Sequence, residues 1–282
     1  MPRVTYVNGT YVPHHEATVH VEDRGYQFAD AVYEVLAVIG GRLCHLDQHL
    51  DRLEHSLSAL SIGAPVSRRV LSLIMARVVR LNRFTDGMLY LQISRGVAPR
   101  NHTFPADTLP SLVVSAWPHN GPSAEQVEQG VAVTTLPDQR WKRPDIKTVG
   151  LLPNVLARQS AKEAGAYEAW LVNGSGFITE GSATNAFIVA RDGTLLTHPA
   201  DTGVLSGVTR GNVLALARHL GLDVAERAFT VAEALTAREA FLTGTTVTVL
   251  PVTRIDGKPV GEGRPGPVTM NLRTLYQELR RK

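Results

Sequence analysis

The chain has 282 residues, 44% of them hydrophobic and 20% charged, which is the balance of a folded protein with room for two domains and not of a disordered one. Its net charge of +3 and pI near 9.1 invite a nucleic-acid reading, yet 29 basic residues are interleaved with 26 acidic ones along the whole chain. The densest basic runs, RWKR at Arg140–Arg143 and LRRK at the end, lack the interspersed aromatics of a nucleic-acid platform, so they read as surface charge. One cysteine, Cys44, excludes an internal disulfide framework. With no signal-like start and no apolar run of about 18 residues, a soluble cytoplasmic protein without nucleic-acid or membrane partners is expected.

The chain opens on RVTYV-NG-TYV, two β-rich runs around Asn8-Gly9, a hairpin because both turn positions need positive φ. A second hairpin is expected at YEVLAVI-GG-RLC. Leu46, Leu50, Leu53, Leu57 and Leu60 then recur at steps of four and three, an amphipathic helix ending near Gly63, and SRRVLSLIMARVVRLN continues helical. GMLYLQISRG and SLVVSAW read as strands of a mainly antiparallel sheet. HNGPS at 119–123 is a Gly/Pro break, taken as a linker between residues 1–118 and 124–282. Beyond it come a strand at GVAVTTL, a helix over PNVLARQSAKEAG with Pro153 in its first turn and Gly165 at its end, and hairpins around NGSG and RDG. A helix over SGVTRGNVLALARHLG and a strand over EAFLTGTTVTVLPVTRIDGKPV, with a turn at Asp256-Gly257, complete the pattern. Two α+β domains, strand-rich and without βαβ alternation, are the expected architecture.

Several short stretches could carry chemistry. Ser206-Gly207 precedes a helix, so the amides of Val208 and Thr209 can face an anion, and Thr243–Thr246 adds hydroxyls; the alternative is an ordinary N-cap. Neither stretch is a Walker or GxGxxG motif. Lys147 stands between Ile146 and an apolar run, where a desolvated amine becomes a nucleophile toward carbonyls; the alternative is a surface lysine. Glu180 lies among small residues that admit a flat ligand, or is a hairpin acid. Arg100 can grip a carboxylate with His102 as a further donor, or both belong to a polar loop; no metal-ligand spacing surrounds them. A phosphate cradle, an amine and a carboxylate together are what pyridoxal phosphate asks of a protein.

The stretches DRGYQFADAVYEVL, HLDQHLDRLEHS, RGVAPRNHTFP, RWKRPDIKTVGLLPNVLARQSA, ITEGSATNAF, GVLSGVTRGN and LTGTTVTVLPV resemble, in order and spacing, the fold-type IV pyridoxal-phosphate enzymes. Within them the chain is similar to the D-amino-acid (D-alanine) aminotransferases, from the first hairpin to Val252. The resemblance implies a smaller N-terminal α+β domain and a larger strand-rich C-terminal domain carrying the lysine, and a cytoplasmic homodimer. It implies pyridoxal 5'-phosphate as cofactor, with Lys147 forming the Schiff base and moving the proton. Glu180 would pair with the pyridine nitrogen; Arg52, Val208, Thr209 and Thr245 or Thr246 would hold the phosphate, and Leu205 would lie against the ring. Trp141 would lie near the lysine. Tyr33, Arg100 and His102 would hold the substrate carboxylate. The activity implied is transfer of an amino group from a D-amino acid such as D-alanine to 2-oxoglutarate or pyruvate. The alternatives within the fold are a branched-chain L-amino-acid or (R)-amine aminotransferase and an aminodeoxychorismate lyase. Outside it, a module binding an acidic polymer is the competing class. Ala37 and Val38 follow YEVL where many related sequences carry a polar group, which bears on side-chain preference.

Overall fold

A computed structural model describes residues 3–281. The chain divides into two compact units. Unit 1 holds residues 3–120 together with Ile146–Gly150 and Arg281; unit 2 holds Gly121–Asp145 and Leu151–Arg280. The division falls at Asn120, within the expected linker, but the short segment carrying Lys147 packs with unit 1.

Unit 1 comprises β1 (Val4–Val7), β2 (Thr10–Pro13), α1 (Arg24–Phe28), β3 (Ala31–Ile39), β4 (Arg42–Leu43), α2 (Leu46–Ala59), α3 (Arg68–Asn82), β5 (Gly87–Ser94) and β6 (Ser111–Pro118). Its six strands form an antiparallel sheet in the order β2-β1-β6-β5-β3-β4. Both expected hairpins are present, turning on Asn8-Gly9 and Gly40-Gly41, all four residues at positive φ. The leucine spacing of α2 and the stripe Leu71, Ile74, Met75, Val78 and Val79 of α3 face one side of the sheet. There they bury Leu36 of β3, Leu89 and Leu91 of β5 and Val114 of β6; each such side chain contributes about 1.5–3 kcal/mol. Alternation along β3 and β5 leaves Tyr33, Val35, Tyr90 and Gln92 only half-buried on the other face.

Unit 2 comprises α4 (Ala124–Gln129), β7 (Val131–Pro137), α5 (Leu152–Glu163), β8 (Glu168–Val172), β9 (Phe177–Gly181), β10 (Asn185–Val189), β11 (Leu195–Thr197), α6 (Val208–His219), β12 (Val224–Glu226), β13 (Phe229–Thr230), α7 (Val231–Thr236), β14 (Glu239–Gly244), β15 (Thr248–Ile255), β16 (Lys258–Pro259) and α8 (Pro267–Leu279). One mixed sheet runs β12-β11-β10-β14-β15-β7-β8-β9-β13, with β16 paired to β15. The expected absence of βαβ alternation does not hold. β7 and β8 run parallel with α5 between them in the chain, and β11 and β12 run parallel around α6. The run expected as one strand from Glu239 is two, β14 and β15, folded back on each other around Thr245–Val247. Phe187 and Phe241 stack at 4.8 Å beneath α6 and α8, while Trp170 meets Phe229 edge-on in a second cluster.

Candidate active site

Lys147 is placed by strand pairing and not by its basic neighbours. The edge of β3 is unpaired over Ala31–Tyr33, because the two-residue β4 reaches only its far end. Residues 146–149 fill that edge: the Tyr33 amide donates to the Lys147 carbonyl at 3.0 Å and the Val149 amide to the Ala31 carbonyl at 3.1 Å. Ile146 anchors the segment in the core of unit 1, and the Lys147 amide donates to Ser56 Oγ at 3.2 Å. The side chain is then directed to the half-buried face. Its Nζ lies 3.3 Å from Tyr33 Oη and 4.3 Å from the centre of the Tyr33 ring, which stacks on Tyr90.

Next to Tyr33, Glu34 points the opposite way, as strand alternation requires, and is fully buried. Arg52 of α2 grips it through Nε at 2.7 Å and a terminal nitrogen at 2.8 Å, and His49 Nδ1 donates to it at 2.7 Å. Burial pushes the Glu34 carboxyl up, but the Arg52 charge and hydrogen bonds outweigh it and hold the pKa down at about 2. For His49 burial wins over the pull of Glu34, and its pKa lies below the ordinary imidazole value. Arg52 therefore reaches its place through Glu34, a residue the sequence reading passed over although it adjoins Tyr33.

Arg100 and His102 gather on Phe28 of α1. The Arg100 guanidinium is 4.6 Å and the His102 ring 5.3 Å from the Phe28 ring centre, and both side chains are exposed. The structure gives neither a hydrogen bond to Tyr33 or Lys147 among the described residues.

In unit 2, Glu180 is the penultimate residue of β9 and is 4% exposed. One of its oxygens pairs with Arg140 and accepts from the Leu205 amide at 3.1 Å; the other accepts from Asn185 Nδ2 at 2.9 Å. Asn185 also donates to the Leu205 carbonyl at 3.0 Å, so the main chain at Leu205 is tied to the same carboxylate. Arg140 is held in turn by Asp138 and by Thr179, which itself donates to Asp138 at 2.8 Å. Burial pushes the Asp138 carboxyl up, but Arg140 more than offsets this and leaves it below the usual range. Arg140, read from sequence as surface charge in RWKR, is instead buried as the counter-ion of Glu180. Trp141 beside it is exposed.

Val208 and Thr209 begin α6, whose N-cap is Gly207 and which has no side-chain cap, so the first-turn amides are available to a ligand. Asn185 Oδ1 would lie 2.0 Å from a Cβ on Gly207, which excludes any larger residue there. Thr245 and Thr246 form the open turn between β14 and β15, the first half-buried and the second exposed. The preceding Thr243 hydroxyl is buried without a hydrogen-bond partner. Amides at a helix start and loop hydroxyls suit a phosphate ester, a reactive amine suits an aldehyde, and an ion-paired carboxylate suits a protonated ring nitrogen. Within its own unit, each of these groups has the chemistry that pyridoxal phosphate needs. Among the described residues there is no cluster that could hold a metal ion.

The family model described as amino-transferase class IV matches residues 31–255. A D-alanine aminotransferase of Bacillus licheniformis is 43% identical over 270 residues, covering 96% of this chain and 94% of that protein. One from Staphylococcus aureus (strain MSSA476) is 34% identical over 273 residues, covering 97% and 96%. Among solved structures, a branched-chain amino acid aminotransferase of Escherichia coli superposes with a TM-score of 0.92 at 27% identity, covering 99% of this chain and 95% of that one. A second branched-chain amino acid aminotransferase, from T.th. and solved with pyridoxamine 5'-phosphate, gives 0.91 at 28% identity, covering 99% and 95%. Matched by the family model from β3 through β15, and by relatives 34% and 43% identical along nearly its whole length, the chain belongs to the class IV aminotransferases.

Proposed function

We propose that this aminotransferase moves the amino group of a D-amino acid such as D-alanine to a 2-oxo acid, 2-oxoglutarate or pyruvate, with pyridoxal 5'-phosphate as its cofactor. The observation that carries the chemistry is the Lys147 amine held beside Tyr33 on the half-buried face of a sheet. The choice of D-amino acids rests on the 34–43% identity to D-alanine aminotransferases.

When bound, pyridoxal phosphate supplies an aldehyde for amine exchange and a ring that draws electron density from the substrate Cα. Lys147 Nζ would be the amine that faces that aldehyde, and it would carry the proton that leaves the substrate Cα. Tyr33 holds Nζ in place through its hydroxyl. Glu180, fixed by Arg140 and Asn185, keeps the ring nitrogen protonated. Arg52, Val208, Thr209, Thr245 and Thr246 take the phosphate, and Leu205 takes the ring. Arg100 and His102 take the substrate carboxylate with Tyr33.

The active form is a homodimer. This is supported by α5, which exposes Leu152, Val155 and Leu156 at helical spacing, an apolar stripe that a second copy would cover. A cytoplasmic location fits the single buried thiol, and no helix among the described residues is long and apolar enough to cross a membrane.

A second reading, transfer from branched-chain L-amino acids, is favoured by the TM-score of 0.92 to the Escherichia coli enzyme. Mixing the loaded protein separately with D-alanine and L-leucine decides between them. D-alanine is expected to shift the cofactor absorption band; a shift with L-leucine alone would establish the second reading instead.

A further inference from the structure

Helix α8 touches the proposed phosphate-binding elements of unit 2 at two points and is pinned at a third. At its start, Glu239 of β14 accepts from the Val268 amide at 3.0 Å and the Thr269 amide at 2.8 Å, a carboxylate placed at a helix N-terminus. In its middle, Arg273 donates from one nitrogen to Thr248 Oγ1 at 2.8 Å and to the Val249 carbonyl at 2.5 Å. One turn later the Tyr276 hydroxyl pairs with Thr209 Oγ1 at 3.2 Å. Thr209 is the second residue of α6, and Thr248 closes the turn that carries Thr245 and Thr246.

Two features of this contact are costly in isolation. Arg273 is 8% exposed, has no carboxylate partner among the described residues, and spends its hydrogen bonds there on neutral oxygens. Burial, helped by the Arg280 charge, pushes its pKa below the ordinary guanidinium value. An uncompensated buried cation is unfavourable unless something of opposite charge completes it. Thr248 has a φ of 61°, in the left-handed region that a β-branched residue occupies only where its surroundings hold it there. The Arg273 hydrogen bond to its hydroxyl, which itself donates to the Val247 carbonyl at 2.5 Å, is part of that hold.

We propose that Arg273 is a positioning residue for phosphate binding: it fixes Thr248 and Val249, so orienting the Thr245–Thr246 turn, and its charge is balanced when a phosphate-ester dianion binds at that turn. This rests on the reading of the protein as a pyridoxal-phosphate enzyme. It makes the C-terminal helix part of the cofactor's grip without any residue of α8 entering the chemistry.

The test compares pyridoxal 5'-phosphate with pyridoxal, which lacks the phosphate, by absorbance titration of the full chain. R273M should weaken pyridoxal phosphate by about tenfold and leave pyridoxal within about twofold, because only the phosphate contacts depend on Arg273. Inorganic phosphate should raise the melting temperature of the cofactor-free wild type and not that of R273M. R273K, which keeps the charge, should recover much of the lost affinity. Equal loss for both compounds, or no loss for either, overturns the proposal. If R273M does not fold, Y276F carries the same comparison: it removes the bond to Thr209, and again only the phosphorylated compound should weaken. Wild-type protein that takes up neither compound, with Lys147 unlabelled by borohydride, overturns the pyridoxal-phosphate reading itself. Normal wild-type binding with R273M and Y276F unchanged overturns this inference alone.

Discussion

Lys147 in unit 1 and Glu180 in unit 2 are held in opposite ways. The Lys147 amine makes one long hydrogen bond, 3.3 Å to Tyr33, and rests over that ring on a four-carbon stem. Glu180 is gripped by Arg140, Asn185 and the Leu205 amide, and Arg140 is itself clamped by Asp138 and Thr179. The contrast matches the roles proposed for the two groups. An amine that attacks an aldehyde, leaves it and carries a proton must change position, so few bonds should restrain it. A carboxylate that keeps a ring nitrogen charged acts by staying still, and preorganised partners make that inexpensive.

The largest expected effect comes from removing the mobile group. K147A should lower transamination by about a thousandfold or more while leaving the fold intact, since the half-buried side chain bears none of the core. Steady-state rates with saturating cofactor, beside circular dichroism, measure both halves of that statement. Near-normal turnover in K147A would erase the distinction between a working amine and a structural one.

What the sequence showed of this contrast was uneven. Lys147 and Glu180 stood out through motif resemblance, and the hairpins and helices of unit 1 followed from Asn8-Gly9, Gly40-Gly41 and the leucine spacing. Their partners did not. Arg140 lies 40 residues from Glu180 and sits in a run that looks like surface charge, so only the fold reveals its counter-ion. Asn185 lies in the ITEGSATNAF stretch, but nothing in a local pattern says that its amide turns back onto the carboxylate. The pairing of residues 146–149 with β3 joins positions 114 apart and depends on an edge left open by a two-residue neighbour, a fact of topology and not of propensity. The parallel β7–β8 pair of unit 2 is hidden for a related reason: the crossover from β7 to β8 is interrupted by the lysine segment, which masks the βαβ rhythm.

Unit 1 contains a tied carboxylate of its own, which separates the effect of the group from the effect of the unit. Glu34 is buried with Arg52 and His49, and its pKa falls from 4.5 to about 2. A folded-state pKa below the unfolded one gives stability that is fully present above pH 4.5 and is lost as the pH falls toward 2. The full shift corresponds to about 3 kcal/mol. E34Q should therefore be less stable than wild type at neutral pH, and the gap should close on acidification, as followed by urea midpoints at several pH values. A gap that stays constant down to the most acid pH would show that Glu34 contributes by packing and not as an ion-pair partner of Arg52.

Y33F gives the smallest and finest test. Phenylalanine keeps the ring that lies 4.3 Å from Nζ and its stack on Tyr90, and removes only the hydroxyl. A neutral hydrogen bond contributes about 0.5–1.5 kcal/mol net, so kcat should fall by a factor of about two to ten if Tyr33 acts by steadying Lys147. A role in holding the substrate carboxylate predicts a different split, with KM rising and kcat little changed. The loose tether of Lys147 makes the first outcome the expected one, because a single bond is all that aligns the amine. If kcat is untouched and only KM rises, Lys147 needs no guide on this face, and of the two roles proposed for Tyr33 only substrate binding with Arg100 and His102 remains.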